Sequence, residues 1–349
     1  MLGERDRDVR AAAAALRARG EPYIIATVVR VQGSSYRRPG ARMIVTEHER
    51  IAGSVSGGCL EASIVRTAHW RTQTGPVVVT YDSSDPDDPD AVLGCGGIVD
   101  VLLERGGPSD PLAMCDDVLA RGAVAFLETV FASTDPAITI GTHYLSEDSS
   151  GPTLRRIATG GGEIEILVER ITPPPSLLVF GTGLDAVPLV QNAQRIGWQI
   201  SVWNGGGRFG VADRFPDARV LDQDLAVVSA EIARTARVFA IVMSHDVRRD
   251  RETLHMLLAS SALYIGILGP RHRTLTLIDD TAQLADPRVH APVGLDVGAE
   301  TPDEIALSVI AEMLAVLRNA TGQHLRTRAT IHATPIPQST PLVSGLGGP

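Results

Sequence analysis

Residues 176–204 read SLLVFGTGLDAVPLVQNAQRIGWQISVWN. LLVF is a short apolar run of the kind that makes a strand buried on both faces. Gly181, Gly183 and Ala186 follow in the spacing Gly-x-Gly-x-x-Ala, and apolar residues then recur at helical intervals. QISVWN reads as a second strand. A strand–turn–helix–strand order is the opening of a parallel sheet. In that context the glycine pattern is the dinucleotide type: the first glycine makes the turn, the second lets a pyrophosphate approach the helix N-terminus, and Ala186 stands in the third place. The acid that would hold a ribose belongs at the end of the second strand, about 20 residues on. Asn204 stands there, so a hydroxyl would be held by an amide and not by an anion.

The pattern extends outward in both directions. Downstream, ARVFAIVMSH (236–245), RETLHMLLAS (251–260) and ALYIGILG (262–269) alternate strand, helix and strand. The loops SHDVRRD and GPRHR then sit at the carboxyl ends of parallel strands, where open α/β sheets bind ligands. Their polar candidates are His245, Asp246, Arg271 and His272. A last helix begins at Thr301, with Pro302 at its first position and Glu304 completing a capping box. Upstream, ITPPPS carries Pro173, Pro174 and Pro175, which can continue neither a helix nor a central strand, so a linker is expected there. The domains predicted are 1–173 and 174–325, with 326–349, rich in Pro, Thr, Ser and Gly, as a flexible tail.

The first half reads as a mixed α+β domain. A helix is expected over 4–18, strands at PYIIATVVRV (22–31), ARMIV (41–45) and RIAGSV (50–55), and a helix at LEASIVRTAHWRT (60–72). PVVVTY, IVDVLLE, AVAFLETVF, AITIGTH and EIEILVER are further strand candidates, the last three as an antiparallel group. The fold class expected is α/β: an N-terminal mixed α+β domain followed by a Rossmann-like doubly wound domain with a mainly parallel sheet.

A formal net charge of −9 argues against a broad nucleic-acid footprint. The N-terminus lacks the apolar core of a secretory signal, no stretch approaches a membrane span, and three cysteines make no disulfide framework. A cytoplasmic protein with no nucleic-acid or membrane partner is expected.

Two glycine-set cysteines carry the first half's chemistry. In GSVSGGCLEAS, Gly57 and Gly58 let the backbone turn tightly before Cys59, which then lies at or near a helix N-terminus where a thiolate is favoured. In LGCGGIVD, Cys95 is flanked by Gly94, Gly96 and Gly97, poor core material but suited to exposing a thiol. A thiolate is a nucleophile or a soft-metal ligand; the alternative is a small buried hydrophobe. Cys115 falls in an apolar helical pattern and reads as core filler. In GSSYRRPGARM, Ser34, Ser35, Arg37 and Arg42 with Arg38 suit a phosphate, or else form a hairpin turn with a basic rim.

Taken together, SGGCLE, GCGG, FGTG, MSHD, YIGILGPRHR and VHAPVGLDVGAETPDEIALSVIAE resemble the xanthine dehydrogenase accessory protein family, XdhC/CoxI, over about residues 20–320. The resemblance implies a chaperone that binds molybdenum cofactor (molybdopterin), protects it during sulfuration and delivers it to a molybdenum hydroxylase client. It also implies a cysteine desulfurase as partner and a homodimer. Carried over, Cys59 and Cys95 match the family's cysteine turns as possible molybdenum contacts, accompanied by Glu61 and Asp100. Two departures stand out: Leu184 replaces the histidine usual after the second glycine, and Asn204 replaces the usual acid. Two other functions stay open on the residues themselves. One is an NAD(P)-dependent oxidoreductase using Gly181, Gly183, Ala186, His245 and Asp246. The other is a metal-dependent hydrolase or lyase using Cys59 and Cys95.

Overall fold

The computed structural model describes residues 6–33, 35–82, 97–147, 153–205, 211–278 and 280–327. The chain divides between Pro173 and Pro174 into two units.

The first unit contains α1 (Arg7–Arg19), β1 (Ile24–Gln32), β2 (Arg42–Val45), β3 (Arg50–Gly53), α2 (Glu61–Arg71), β4 (Val77–Asp82) and β5 (Ile98–Arg105). It continues with α3 (Pro111–Ala120), β6 (Ala125–Ser133), β7 (His143–Ser146), β8 (Leu154–Ala158) and β9 (Glu163–Ile171). Two antiparallel sheets result, ordered β3-β2-β1-β5-β4 and β7-β6-β9-β8. The period of two in β1 decides the layering. Ile24, Ala26 and Val28 pack against Leu60, Ile64 and Ala68 of the α2 segment. Val29, from the opposite face, meets Leu102 of β5, Phe131 of β6 and Leu167 of β9, so the two sheets share an apolar seam.

Polar side chains cross that seam. Arg42 of β2 is buried and grips the Glu169 carboxylate of β9 with both terminal nitrogens, with Asp6 3.6 Å away. Burial opposes its charge, but Glu169 and Asp6 outweigh burial and raise its pKa. Arg30 of β1 bridges Asp100 of β5 and Glu165 of β9, each at 2.7 Å, with its guanidinium over the Phe131 ring.

AITIGTH, expected as a strand, is mostly turn. The Asp135 side chain accepts the Ala137 N–H at 2.9 Å and its carbonyl accepts from Ile138, so β7 begins only at His143. A local Asp turn defeats the β-branched composition there.

The second unit contains β10 (Ser176–Phe180), α4 (Ala186–Arg195), β11 (Gln199–Trp203), α5 (Val211–Arg214), β12 (Arg219–Leu221), α6 (Leu225–Arg234) and β13 (Val238–Val242). After these come α7 (Val247–Leu258), β14 (Tyr264–Ile267), α8 (Arg271–Leu277), β15 (Val289–His290) and α9 (Pro302–Leu317). Its strands run parallel in the order β12-β11-β10-β13-β14-β15, which within this unit is 3-2-1-4-5-6, the doubly wound order. Both faces are covered. Leu177 and Val179 pack with α4 and α9, while Leu178 and Phe180 pack with α6 and α7. Full burial of each such side chain stabilises by about 1.5–3 kcal/mol, which is why Leu177 to Phe180 of β10 are all apolar and do not alternate. Thr301 and Glu304 make the reciprocal capping box of α9. No helix among the described residues is long and apolar enough to cross a membrane.

Candidate functional site

In the first unit the strand register brings three connections to one sheet edge. Gln32, ending β1, lies across the ladder from Ile98, which opens β5; Ile98 in turn lies across from Asp82, which ends β4. Val28 N–H donates to the Ala41 carbonyl and Ser54 N–H to the Arg42 carbonyl, so β2 starts and β3 ends at that same edge. The 33–41 turn, the 54–60 turn and Gly97 therefore share it. Ser34, Cys95 and Gly96 lie outside the described residues, and so does any approach of Cys95 to Cys59.

The 54–60 turn is built around one carboxylate. Glu61, buried at the start of α2, accepts the Ser54 hydroxyl at 2.7 Å, the Val55 N–H at 3.2 Å and the Ser56 N–H at 2.9 Å. It also accepts the Ser56 hydroxyl at 2.5 Å. The Ser56 oxygen in turn accepts the N–H groups of Gly58 and Leu60, each at 3.1 Å. Burial pushes the Glu61 pKa up, but the hydroxyls of Ser54 and Ser56 and the backbone N–H outweigh it and pull it down to about 2. A fixed anion thus holds the turn, and Gly57, Gly58 and Cys59 are presented to solvent. Tyr36, 70% exposed, lies over Gly57: a side chain there would meet its ring at 3.3 Å. That contact joins the 33–41 turn to the cysteine turn. Ser35 and the exposed Arg37 lie in the same turn, with the Arg37 N–H on the Ser35 hydroxyl at 3.3 Å.

Two residues expected at a ligand do other work. Arg42 is turned inward and taken by Glu169 and Asp6, so it offers no guanidinium to a phosphate. Asp100 is buried and satisfied by Arg30 and by the Thr80 hydroxyl at 2.7 Å. Cys115 is fully buried, and burial pushes its thiol up to about 12.

In the second unit the sheet order reverses between β10 and β13, and the expected residues lie on the loops beyond their carboxyl ends. Gly181 is required by close approach: a Cβ there would stand 2.4 Å from the Met243 carbonyl oxygen. Ala186 is buried as the first residue of α4. His245, at φ 63°, bonds through Nε2 to Asp185 at 2.8 Å. Asp246 is the N-cap of α7, accepting the N–H groups of Arg248 and Arg249, which hold its carboxyl below the ordinary range. Arg271 is exposed at the start of α8.

Three residues that sequence reading passed over organise this edge. Asp250, fully buried, accepts the Ser244 N–H and hydroxyl and pairs with Arg273, which also donates to the Leu268 carbonyl at 2.7 Å. It ties the loop after β13 to the loop after β14. Asp222, just beyond β12, accepts the Asn204 side-chain amide at 2.9 Å. The carboxylate missing from β11 is thus supplied by the neighbouring strand. Asp185 is the third; its only sequence signal was its place just before α4. A cavity of about 230 Å3, lined by Ser176, Gln199, Arg219, Glu231 and Thr235 among others, lies at the opposite, amino ends of β10, β11 and β13. Among the described residues no three His, Cys, Asp or Glu side chains converge on a metal-ion position.

Comparison with known proteins agrees with this architecture. A family model of the XdhC Rossmann domain matches residues 177–313, and one of the XdhC and CoxI family matches residues 16–82. A probable xanthine dehydrogenase subunit of Bacillus subtilis (strain 168) is 29% identical over 311 residues, covering 84% of this chain and 93% of the relative. The "Molybdenum cofactor insertion chaperone PaoD" of Escherichia coli (strain K12) is 26% identical over 304 residues, covering 85% and 84%. The crystal structure of a xanthine dehydrogenase from Bacillus halodurans superposes with a TM-score of 0.70 at 27% identity, over 92% of this chain and 97% of that one. With both halves matched in order, and a solved relative of the same architecture along nearly its whole length, the chain belongs to the XdhC and CoxI family.

Proposed function

We propose that this chain binds molybdenum cofactor as cargo and inserts it into a molybdenum hydroxylase of the xanthine dehydrogenase type. The observation that carries the reading is the exposed Cys59 thiol on a turn fixed by Glu61, with Ser35, Tyr36 and Arg37 in the adjoining turn. The residues fit the cargo's chemistry. A thiol suits a soft metal, an arginine and a hydroxyl suit a phosphate, and the fixed turn removes the entropy of ordering the thiol on binding. Arg42 has no part in it. The similarity to a cofactor insertion chaperone supports the same reading. Support of cofactor sulfuration, a cysteine desulfurase partner, a cytoplasmic homodimer and a role for Cys95 beside Cys59 belong to the proposal as its finer parts.

The test is molybdenum retained after gel filtration of protein loaded with freshly released cofactor. Wild type should retain it, and Cys59→Ala and Cys59→Ser should each lose most of it, since a hydroxyl does not replace a thiolate at a soft metal. Retention by none of the proteins, wild type included, would overturn the reading. The second unit has the frame of a dinucleotide site, but the Asp185 carboxylate lies over Gly183 in the space a diphosphate would need, which counts against the oxidoreductase reading.

A further inference from the structure

The doubly wound order, the Gly181-x-Gly183 turn and α4 make the frame in which such folds seat a diphosphate. The second glycine matters there because it leaves its own face empty for phosphate oxygens. Here that face is filled. A Cβ on Gly183 would stand 2.3 Å from Oδ1 of Asp185, so the carboxylate lies directly over the glycine. Its other oxygen is bonded by His245 Nε2 at 2.8 Å, across from the loop after β13. His245 itself is held in the left-handed region, at φ 63°, an uncommon conformation for a residue with a side chain. The surroundings enforce it. Ser244 before it is tied to the buried Asp250, and Asp246 after it caps α7. The loop is thus set so that the imidazole reaches across the switch point to Asp185.

We propose that Asp185 is an internal occupant of the diphosphate seat, latched there by His245, and that this contact excludes dinucleotides from the crevice. Asp185 and a phosphate group are both anions and need the same space beside the α4 N-terminus. A diphosphate therefore binds only after the carboxylate has left Gly183 and His245. Like-charge repulsion and steric overlap act in the same direction. The ribose end of the crevice is not closed in this way: Asn204 and Asp222 remain accessible and bonded to each other. The exclusion is therefore specific to the phosphate-bearing part of a ligand. This inference rests on the second unit alone and is independent of where molybdenum cofactor binds.

The experiment is equilibrium binding of NAD+ and of ADP-ribose to the full chain by calorimetry, for wild type, Asp185→Gly, Asp185→Asn and His245→Gly. Glycine at 245 removes the imidazole while keeping the left-handed backbone, and circular dichroism checks that each variant is folded. Wild type should bind neither ligand at millimolar concentration. Asp185→Gly should gain affinity by roughly tenfold or more, within the range of an ordinary coupling free energy. Asp185→Asn, which loses the charge but keeps most of the volume, and His245→Gly should fall between. Equal affinity in wild type and Asp185→Gly would overturn the proposal, and so would a folded Asp185→Gly that still binds neither ligand.

Discussion

Glu61 and Ser56 are bonded twice: the carboxylate takes the serine's backbone N–H at 2.9 Å and its hydroxyl at 2.5 Å. The cysteine turn hangs on that pair, since the Ser56 oxygen receives the Gly58 and Leu60 amides. Replacing Glu61 by alanine leaves the Val55 and Ser56 amides without their acceptor. A cost of about 2–3 kcal/mol to the first unit is expected. Hydrogen exchange should show lost protection from Val55 to Leu60, with little change in β6 to β9. Protection of the turn unchanged in Glu61→Ala would show that the carboxylate does not hold it.

The same carboxylate sets a pH window. Its pKa is lowered from 4.5 to about 2 in the folded chain, so its stabilising effect is complete above 4.5 and is lost as the pH falls towards 2. The difference in exchange protection between wild type and Glu61→Gln, which does not titrate, should shrink across that interval and be flat from about pH 5 to 8. A difference that widened on acidification would have the wrong sign.

Cysteine reactivity separates the two described thiols. Cys59 is exposed, whereas Cys115 is buried and its thiol is pushed up to about 12. Alkylation of native protein at mildly alkaline pH, read by peptide mass spectrometry, should modify Cys59 within minutes and Cys115 only after denaturant is added. Comparable labelling of both without denaturant would contradict the packing of α3.

Arg42 offers a test of interior against ligand-facing roles. Removing one partner of a buried ion pair costs about 3–5 kcal/mol, whereas replacing the pair with apolar residues costs far less. Arg42→Ala should lower the urea midpoint sharply, and the double variant Arg42→Met, Glu169→Leu should recover most of the loss. Molybdenum bound per folded molecule should be the same in the double variant as in wild type. A double variant as stable as wild type but unable to hold the cofactor would return Arg42 to the ligand.

Legibility in the sequence followed distance along the chain. Gly181, Ala186 and the Thr301–Glu304 box were readable because helix starts and strand–turn–helix order are written within a few residues. Cys115 was readable as core from its helical spacing. Asp246, a candidate for chemistry, caps α7, a role its position before Val247 also encodes. The partners were not readable. His245 finds Asp185 60 positions away and Arg42 finds Glu169 127 positions away, and no local pattern specifies either. Asn204 leaves the β11 end itself without an acid, because the carboxylate that meets it, Asp222, follows the next strand.

The strand order β3-β2-β1-β5-β4 has a consequence for what counts as a module. The stretch 16–82, which carries the family likeness of the first half, stops before β5, the strand that separates β1 from β4. Excised there, the piece would leave the central strand β1 with one raw edge and the outer strand β4 with no partner on either side, an open invitation to pair with another chain. What inheritance keeps recognisable and what can fold unaided are here segments of different length.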